Sequence, residues 1–542
     1  MKKITLAVSC ALLLAGCAGG TEAAGSSAGP AASVLQMTSL NRTAEVSHPD
    51  DFYGTTYEIF PYSYSDSNGD GIGDLKGIEN HLDELNDGDD STCDDLGVNA
   101  IWLTPVCRAV SYHKYDITDY ESIDPDFGTL DDYDALVKAC HKRGMKVLFD
   151  LVVNHTSSEH PWFTQAVAYL KTIGDGEIDT SVCPYAGYYN FTREAKTGYA
   201  QIPGTDWYYE ARFSDGMPDL NLDNEQVRNE IHDIVKFWLG HGVDGFRLDA
   251  AASYYTEDYD KTILFLRWLN DTIKQEKSDA YLVGEAWTDQ ATYSSYYASH
   301  VDSFFDFAFA GSDGVIASTV KGSMSALDYV KAMAGEEKLY ASVYPDYINA
   351  PFYTSHDMDR SAGYYAGDDS TRCKLALGMN LLMQGNAFVY YGEEIGMKGS
   401  GKDENKRAPM YWSKEKTDET CQGPSDMDEV EMKYDPYDVQ RKDPSSIYSY
   451  VREAVRLRNC YPALTHGKTV VDTERSTEDT AVFTREYKGD TVEVIINLSD
   501  QTAEIENEKG KLAGTLNTDD EEVTLKDETL TIPADTIALC TE

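Results

Sequence analysis

Short apolar runs recur along the chain with amphipathic stretches between them. Eight of the runs are TYEIFPY, NAIWLTPV, KVLFDLVVNH, GVDGFRLDA, YLVGEAW, SFFDFAF, APFYTSHD and NAFVYYGEE. Rich in Val, Ile, Phe and Tyr and bounded by turn residues, they predict buried strands. Between them, DYDALVKACHKRG and QVRNEIHDIVKFWLGHG space their apolar residues at helical intervals and close near a glycine, a helix-ending signal. Alternating strands and helices predict a parallel sheet, and eight such units over about 350 residues predict a closed barrel rather than an open doubly wound sheet. No glycine-rich phosphate fingerprint follows the first run, which argues against a dinucleotide site.

The alternation breaks in two places. Residues 155–215 follow the third run with Tyr, Gly and Pro and predict a small inserted domain. After residue 455 the apolar positions fall at every second residue in AVFTREY, TVEVIINL and LTIPADTIAL, the pattern of an antiparallel β-sandwich. The expected fold is therefore α/β: a (β/α)8 TIM barrel over 49–154 and 216–454, the insert at 155–215, and a sandwich over 455–542. Ahead of the barrel, MKK is followed by the apolar ITLAVSCALLL and by AGC, which reads as a leader over 1–16. That run is too short for a stop-transfer helix. Leu14-Ala15-Gly16-Cys17 resembles the lipobox of bacterial lipoproteins, so lipid on Cys17 and a flexible tether over 17–48 are expected, with the protein exported and held at a membrane surface.

Charge narrows the partners. The 542 residues carry 93 acidic against 46 basic side chains, a net charge of −47, and such a surface repels a phosphate backbone. Nucleic acid is excluded as a partner. Of ten cysteines, Cys10 would leave with the leader and Cys17 would carry lipid. The other eight are scattered and fit neither zinc spacing nor a disulfide framework.

Two features carry chemistry. The first is YSDSNGDGIGDLKGI, residues 64–78, with oxygen side chains at Asp66, Asn68, Asp70 and Asp74. An EF-hand needs a bidentate Glu at position 12, and counting from Asp66 that position is Gly77. The stretch is a calcium loop of another kind or a surface turn rich in Asp, Asn and Gly. The second is a set of polar residues at the strand ends: Asp150, Asn154 and His155 after the third, Arg247 and Asp249 after the fourth, Glu285 after the fifth, His356 and Asp357 after the seventh. A barrel builds its active site there. An acid in an apolar strand costs burial energy unless it is paired or useful. Carboxylates with histidines and an arginine, without a Ser or Cys nucleophile context, fit cleavage of a glycosidic bond.

The ordered strings DLVVNH, MPDLN (217–221), GFRLDA, GEAW and HD resemble the motifs of the α-amylase family of glycoside hydrolases, from about residue 50 onward. The resemblance implies that Asp249 is the nucleophile, Glu285 the general acid/base and Asp357 the carboxylate that stabilises the transition state. It implies that Arg247 orients Asp249, that His155 and His356 bond the sugar, and that Tyr115 in YHKYDITDY stacks on it. His113 becomes a hydroxyl contact, and Asp403 and Arg407 in DENKR a pair closing the same subsite. It also implies a structural calcium in the first loop, held by Asp66, Asn68, Asp70 and Asp74 and by the carbonyl of Ile72. Arg247 is expected to keep Asp249 ionised, and the apolar neighbours Val283 and Trp287 to keep Glu285 protonated.

The chain departs from the family pattern at two points. Ala252-Ser253 replaces an expected Lys-His, so a second calcium near Asn154 is left unassigned, and Ser355 stands where an Asn is usual. Ala250 and His113 resemble members that cut α-1,4 bonds, a Val at 250 being usual in oligo-1,6-glucosidase relatives, while MPDLN is intermediate. The expected function is a monomeric retaining hydrolase of α-1,4 bonds in starch or maltooligosaccharides. A trimming α-glucosidase, a cyclodextrinase or a transglycosylase are the alternatives. A non-catalytic glycan-binding scaffold is disfavoured by the complete triad.

Overall fold

A computed structural model describes residues 39–47, 51–256, 258–367 and 370–542. The expected leader and Cys17 lie outside the described residues. Seven of the eight apolar runs form strands: β1 (Thr55–Ile59), β2 (Ala100–Leu103), β3 (Lys146–Leu151), β4 (Gly245–Leu248), β5 (Tyr281–Gly284), β6 (Ser303–Phe304) and β7 (Ala387–Tyr390). They pair in parallel in the order β6-β5-β4-β3-β2-β1-β7. The eighth run, APFYTSHD, closes the ring through single bridges, Phe305 to Ala350 and Phe352 to Phe388. Pro351 lies between the two bridged residues and has no N–H to extend the ladder.

Nearly every strand residue is buried, because the barrel is covered on both faces. The pleat sorts them. Trp102, Leu148, Tyr281, Val283, Phe305, Phe352 and Phe388 fill the inside of the barrel. Their chain neighbours Ile101, Leu103, Val147, Phe149, Leu282 and Phe304 pack outward against the helices. Those helices include Leu130–Lys142, Glu225–Gly240, Tyr259–Glu276, Ala326–Val343, Thr371–Leu381 and Ile447–Cys460. The first starts with a reciprocal cap between Thr129 and Asp132.

The insert holds the helix Pro161–Ile173 and a three-stranded antiparallel sheet of Phe191–Thr192, Tyr208–Glu210 and Tyr199–Gln201. It returns to the barrel through bridges from Asp219 to His155 and from Leu220 to Tyr189. At the C-terminus a five-stranded and a three-stranded sheet face each other. Val482, Ile495, Ala538 and Cys540 point toward Leu530 and Ile532 of the smaller sheet, while Phe483, Val494, Ile496 and Leu539 pack into the main core. The boundary expected at 455 falls inside the helix Ile447–Cys460, so barrel and sandwich share that helix.

Residues 39–47, expected within the tether, are packed instead. Asn41 is buried and bonds Glu453 at 2.6 Å and the backbone of Thr515 at 2.7 and 3.0 Å. Arg456 donates to the carbonyls of Asn41, Arg42 and Ala44. The Gly/Ala/Ser composition that suggests a tether stops short of this segment, and an amide with partners on both sides orders it. Among the described residues the cysteines at 93, 107, 140, 183, 373, 421, 460 and 540 form no disulfide with one another.

Arg458 fixes the base of the barrel where it closes. The buried guanidinium donates to the carbonyls of Gly54 (2.9 Å), Leu381 (2.6 Å), Met383 and Gly385. Gly54 enters β1 and Gly385 leads into β7, so one side chain ties the seam. Arg458→Met keeps the length and removes every donor, and should lower unfolding free energy by at least about 3 kcal/mol, the loss of two or more charge-assisted hydrogen bonds. Urea titration of wild type and variant measures it.

Candidate active site

Parallel register brings the polar residues together at the C-terminal mouth of the barrel. Asp150 on β3 pairs in register with Arg247 on β4, which pairs with Val283 on β5, two residues before Glu285. Asp249 is two residues beyond Arg247, so a period of two aims both inward. Glu58 on β1 is level with Trp102 on β2.

Arg247 is the hub. Its Nη1 donates to Asp150 Oδ1 at 2.8 Å and Asp249 Oδ1 at 2.6 Å, and its Nη2 lies 3.0 Å from Glu285 Oε2. The planar fork thereby holds two candidate reacting carboxyls side by side. Glu285 Oε2 also accepts the backbone N–H of Ala250 at 2.9 Å. Burial pushes the Glu285 carboxyl up, Arg247 pulls it down, and the charges of Asp249 and Asp357 push it up again, to about 7. Burial likewise lifts Asp150, which Arg247 restrains, to about 6; it also accepts from Trp102 Nε1 and Tyr115 Oη, each at 3.1 Å.

A second cluster surrounds Asp357. His356 Nε2 lies 3.0 Å from Asp357 Oδ2, and Arg407 Nη2 donates to Asp357 Oδ1 at 2.6 Å. Burial opposes ionisation of Asp357, but His356 and then Arg407 outweigh it and hold the carboxyl well below the usual range. The ring of His356 is pinned from its other side, where Nδ1 meets Glu58 Oε1 at 2.5 Å, and Tyr115 Oη lies 2.8 Å from Nε2. Arg407 also bonds Tyr112 Oη at 2.9 Å.

Of the remaining candidates, His113 accepts the N–H of Tyr115 on Nδ1 at 3.1 Å, which leaves its proton on Nε2. Burial pushes that imidazole down to about 4, so it stays neutral at neutral pH. His155 is buried, also pushed down by burial, and among the described residues its Nε2 meets no hydrogen-bond partner. Asp403 does not join. Its side chain is 59 % exposed and pairs with Lys406 at 2.9 Å rather than with Arg407. Lys406 reaches the carbonyl of Asp357 at 3.0 Å, so the short helix Asp403–Lys406 and its C-cap contribute through Lys406 and Arg407.

One expectation about the surroundings needs correction, and one residue gains a second constraint. Trp287 is 55 % exposed and stacks on Phe307 with centroids 5.2 Å apart, so it does not bury Glu285; the apolar wall comes from Phe305, Phe307 and Phe352. Ala250 sits in the left-handed region with φ +48°, so its role includes backbone geometry as well as size. Glu58, Trp102 and Tyr112 were not among the sequence candidates. Glu58 carried a signal, an acid inside the apolar string TYEI.

The loop over residues 66–74 lies apart from this cluster. Asp66 and Asp74 are both buried. Their donors are the N–H groups of Asn68, Gly69 and Gly71 for Asp66, and Gly77 N–H, Ser67 and the Asn68 amide for Asp74, rather than a Lys or Arg. Gly69 and Gly71, at φ +85° and +93°, allow the tight curl. Asp70 Oδ1 accepts from Ile72 N. Among the described residues no three His, Cys, Asp or Glu side chains form a ready-made metal site. An all-oxygen donor set completed by the Asn68 amide and the Ile72 carbonyl nevertheless fits a hard cation such as calcium.

Comparison with known proteins agrees with this architecture. The family model for the catalytic domain of alpha amylase matches residues 58–467. Alpha-amylase 3 of Dictyoglomus thermophilum is 34 % identical over 463 residues, 82 % of this chain and 84 % of that protein. An oligo-1,6-glucosidase of Heyndrickxia coagulans is 28 % identical over 529 residues, 82 % of this chain and 91 % of its own. Among solved structures, Eubacterium rectale Amy13B superposes with a TM-score of 0.89 at 44 % identity, over 93 % of this chain and 98 % of that one.

The conformation of Ala250 makes a direct prediction. A β-branched residue is strained at positive φ, so Ala250→Val should lose about 1–3 kcal/mol of stability. Ala250→Gly, free of that strain, should stay within about 1 kcal/mol of wild type. Thermal melting of the two variants separates backbone strain from any effect on substrate.

Proposed function

The chain belongs to the alpha-amylase family of glycoside hydrolases, and on that premise we propose that it hydrolyses α-1,4-glucosidic bonds in starch or maltooligosaccharides with retention of configuration. The observation that carries this reading is the single Arg247 guanidinium shared by Asp249 and Glu285. The two carboxyls then differ in environment. Asp249, 2.6 Å from the guanidinium, is the nucleophile that attacks the anomeric carbon. Glu285, lifted to about 7 by burial, protonates the departing glycosidic oxygen and afterwards takes a proton from the attacking water. Asp357, fixed between His356 and Arg407, presents a permanent negative charge to the oxocarbenium-like transition state. His155 Nε2 and the protonated Nε2 of His113 are the groups for sugar hydroxyls, and Tyr115 supports the ring.

Relatives named for α-1,6 cleavage support a second reading in which the bond cut is α-1,6. Both readings share the double displacement. Incubation with maltooligosaccharides and with isomaltose-type substrates, followed by proton NMR of the first product, tests them together. We expect the α-anomer first, faster release from α-1,4 bonds, and a loss of at least about 10²-fold in Glu285→Gln. Activity should also decline as pH rises through about 7, where Glu285 loses its proton. A first-formed β-anomer, or a Glu285→Gln variant with normal turnover, would sink the mechanism.

The chain is further proposed to be exported and held at a membrane by lipid on Cys17, on the strength of the leader string alone. The loop at Asp66, Asn68, Asp70, Ile72 and Asp74 is proposed to bind structural calcium, supported by the buried carboxylates of Asp66 and Asp74, which meet no cationic side chain among the described residues. Calcium that binds the folded state alone adds RT ln(1 + [L]/Kd), about 2.7 kcal/mol at a hundredfold excess over Kd. Chelator should therefore lower the melting temperature of the wild type and leave that of Asp70→Ala unchanged. Equal melting of the wild type in chelator and in calcium would favour the plain turn.

A further inference from the structure

We propose that Glu58 is a positioning residue for glycosidic cleavage, its buried carboxylate keeping His356 an imidazolium aimed at Asp357. The inference deepens the function proposed above and rests on the role given there to Asp357.

Glu58 lies inside β1, in the apolar string TYEI, with 1 % of its surface exposed. A carboxylate there needs a compensating partner. The one ion pair it makes among the described residues is with His356, whose Nδ1 lies 2.5 Å away and whose backbone N–H lies 3.3 Å away. The opposite ring nitrogen meets a second carboxylate, Asp357 Oδ2 at 3.0 Å. A neutral imidazole has one N–H and cannot donate to acceptors on both sides; an imidazolium can. Tyr115 fits the same assignment. Its hydroxyl donates to Asp150 Oδ2 and so presents an oxygen lone pair to Nε2 at 2.8 Å.

The charged and titratable groups around the ring come from every side of the barrel mouth: Glu58 from β1, the neutral Tyr115 after β2, Asp150 from β3, Arg247 from β4, and Asp357 and Arg407 on the exit side. Burial disfavours a charged ring, but Asp357 and then Glu58 outweigh it and lift His356 to about 10. Glu58 is buried behind the ring and acts through it. If His356 became neutral, Asp357 would keep Arg407 and lose its second charge-assisted contact.

Glu58→Gln preserves shape and an acceptor oxygen while removing the charge. The imidazolium then loses one of its two carboxylates, so His356 should shed its proton at a lower pH than in the wild type. Each pH unit above that lowered value costs roughly tenfold in charged ring. The defect in kcat should therefore grow with pH, within about threefold of wild type at pH 5 and at least about tenfold at pH 8, with KM changed less than kcat. Nitrogen-15 histidine NMR reads the ring directly and needs no turnover, so it answers even if the assigned substrate is wrong. It should show His356 charged at pH 8 in the wild type and neutral in Glu58→Gln. A neutral ring in the wild type at pH 8, a measurement that needs no variant, would overturn the proposal. So would a ring charge that Glu58→Gln leaves unaltered. A lost ring charge with kcat unchanged would overturn the positioning role, and an equal loss of activity at every pH with a lowered melting temperature would make Glu58 purely structural.

Discussion

The cost of holding several carboxyls in one low-dielectric barrel mouth governs this molecule. Five of them converge there: Glu58, Asp150 and Asp249 are buried, while Glu285 and Asp357 keep part of their surface open to the cleft. Such a group is tolerated only with strong partners, and the structure supplies three cations, Arg247, His356 and Arg407. Arg247 touches three of the carboxyls and is itself buried among strands, so it cannot swing away. Its fixed fork sets the relative position of Asp249 and Glu285, and therefore what the site can do.

The same arrangement divides acid from base. Glu285 faces Arg247 but is also near two other negative charges, and burial wins; its carboxyl rises to about 7. Asp357 has His356 and Arg407 on its two oxygens, and the cations win. Burial in one case and paired cations in the other thus shift two carboxyls of one cleft in opposite directions. The scaffold serves this by rigidity: interior side chains such as Trp102 and Phe305 fill the barrel beneath the cluster, and Arg458 locks the closing seam at the opposite end.

Other parts of the chain have less to do with the chemistry and more with holding the barrel. The chain leaving the insert bridges at Asp219 to His155 beyond the third strand and at Leu220 to Tyr189 of the insert itself, which places the insert's loop beside the mouth. Phe213 of that insert is exposed and lies with its ring 5.3 Å from His155. The five-stranded C-terminal sheet uses one face for the sandwich core and the other to cover barrel helices, so the helix Ile447–Cys460 belongs to both.

What the sequence determined by itself follows from local rules. Strand and helix periods are readable within ten residues, so the eight runs, the insert and the C-terminal alternation were legible, as were acids set in apolar strings. The resemblance to a known family then attached roles to Asp249, Glu285 and Asp357. What only the tertiary structure decided depends on partners far away in the chain. His356 finds Glu58 across 298 positions, and no local pattern announces that pair. Trp287 is exposed and Asp403 turns outward because of what their neighbours leave open, not because of their own strings. Ala250 is left-handed and in that conformation gives its N–H to Glu285, a partner 35 positions away. Composition and periodicity report which residues can be buried; which charge meets which is settled by the closure of the barrel, since electrostatic energy depends on distance in space rather than along the chain.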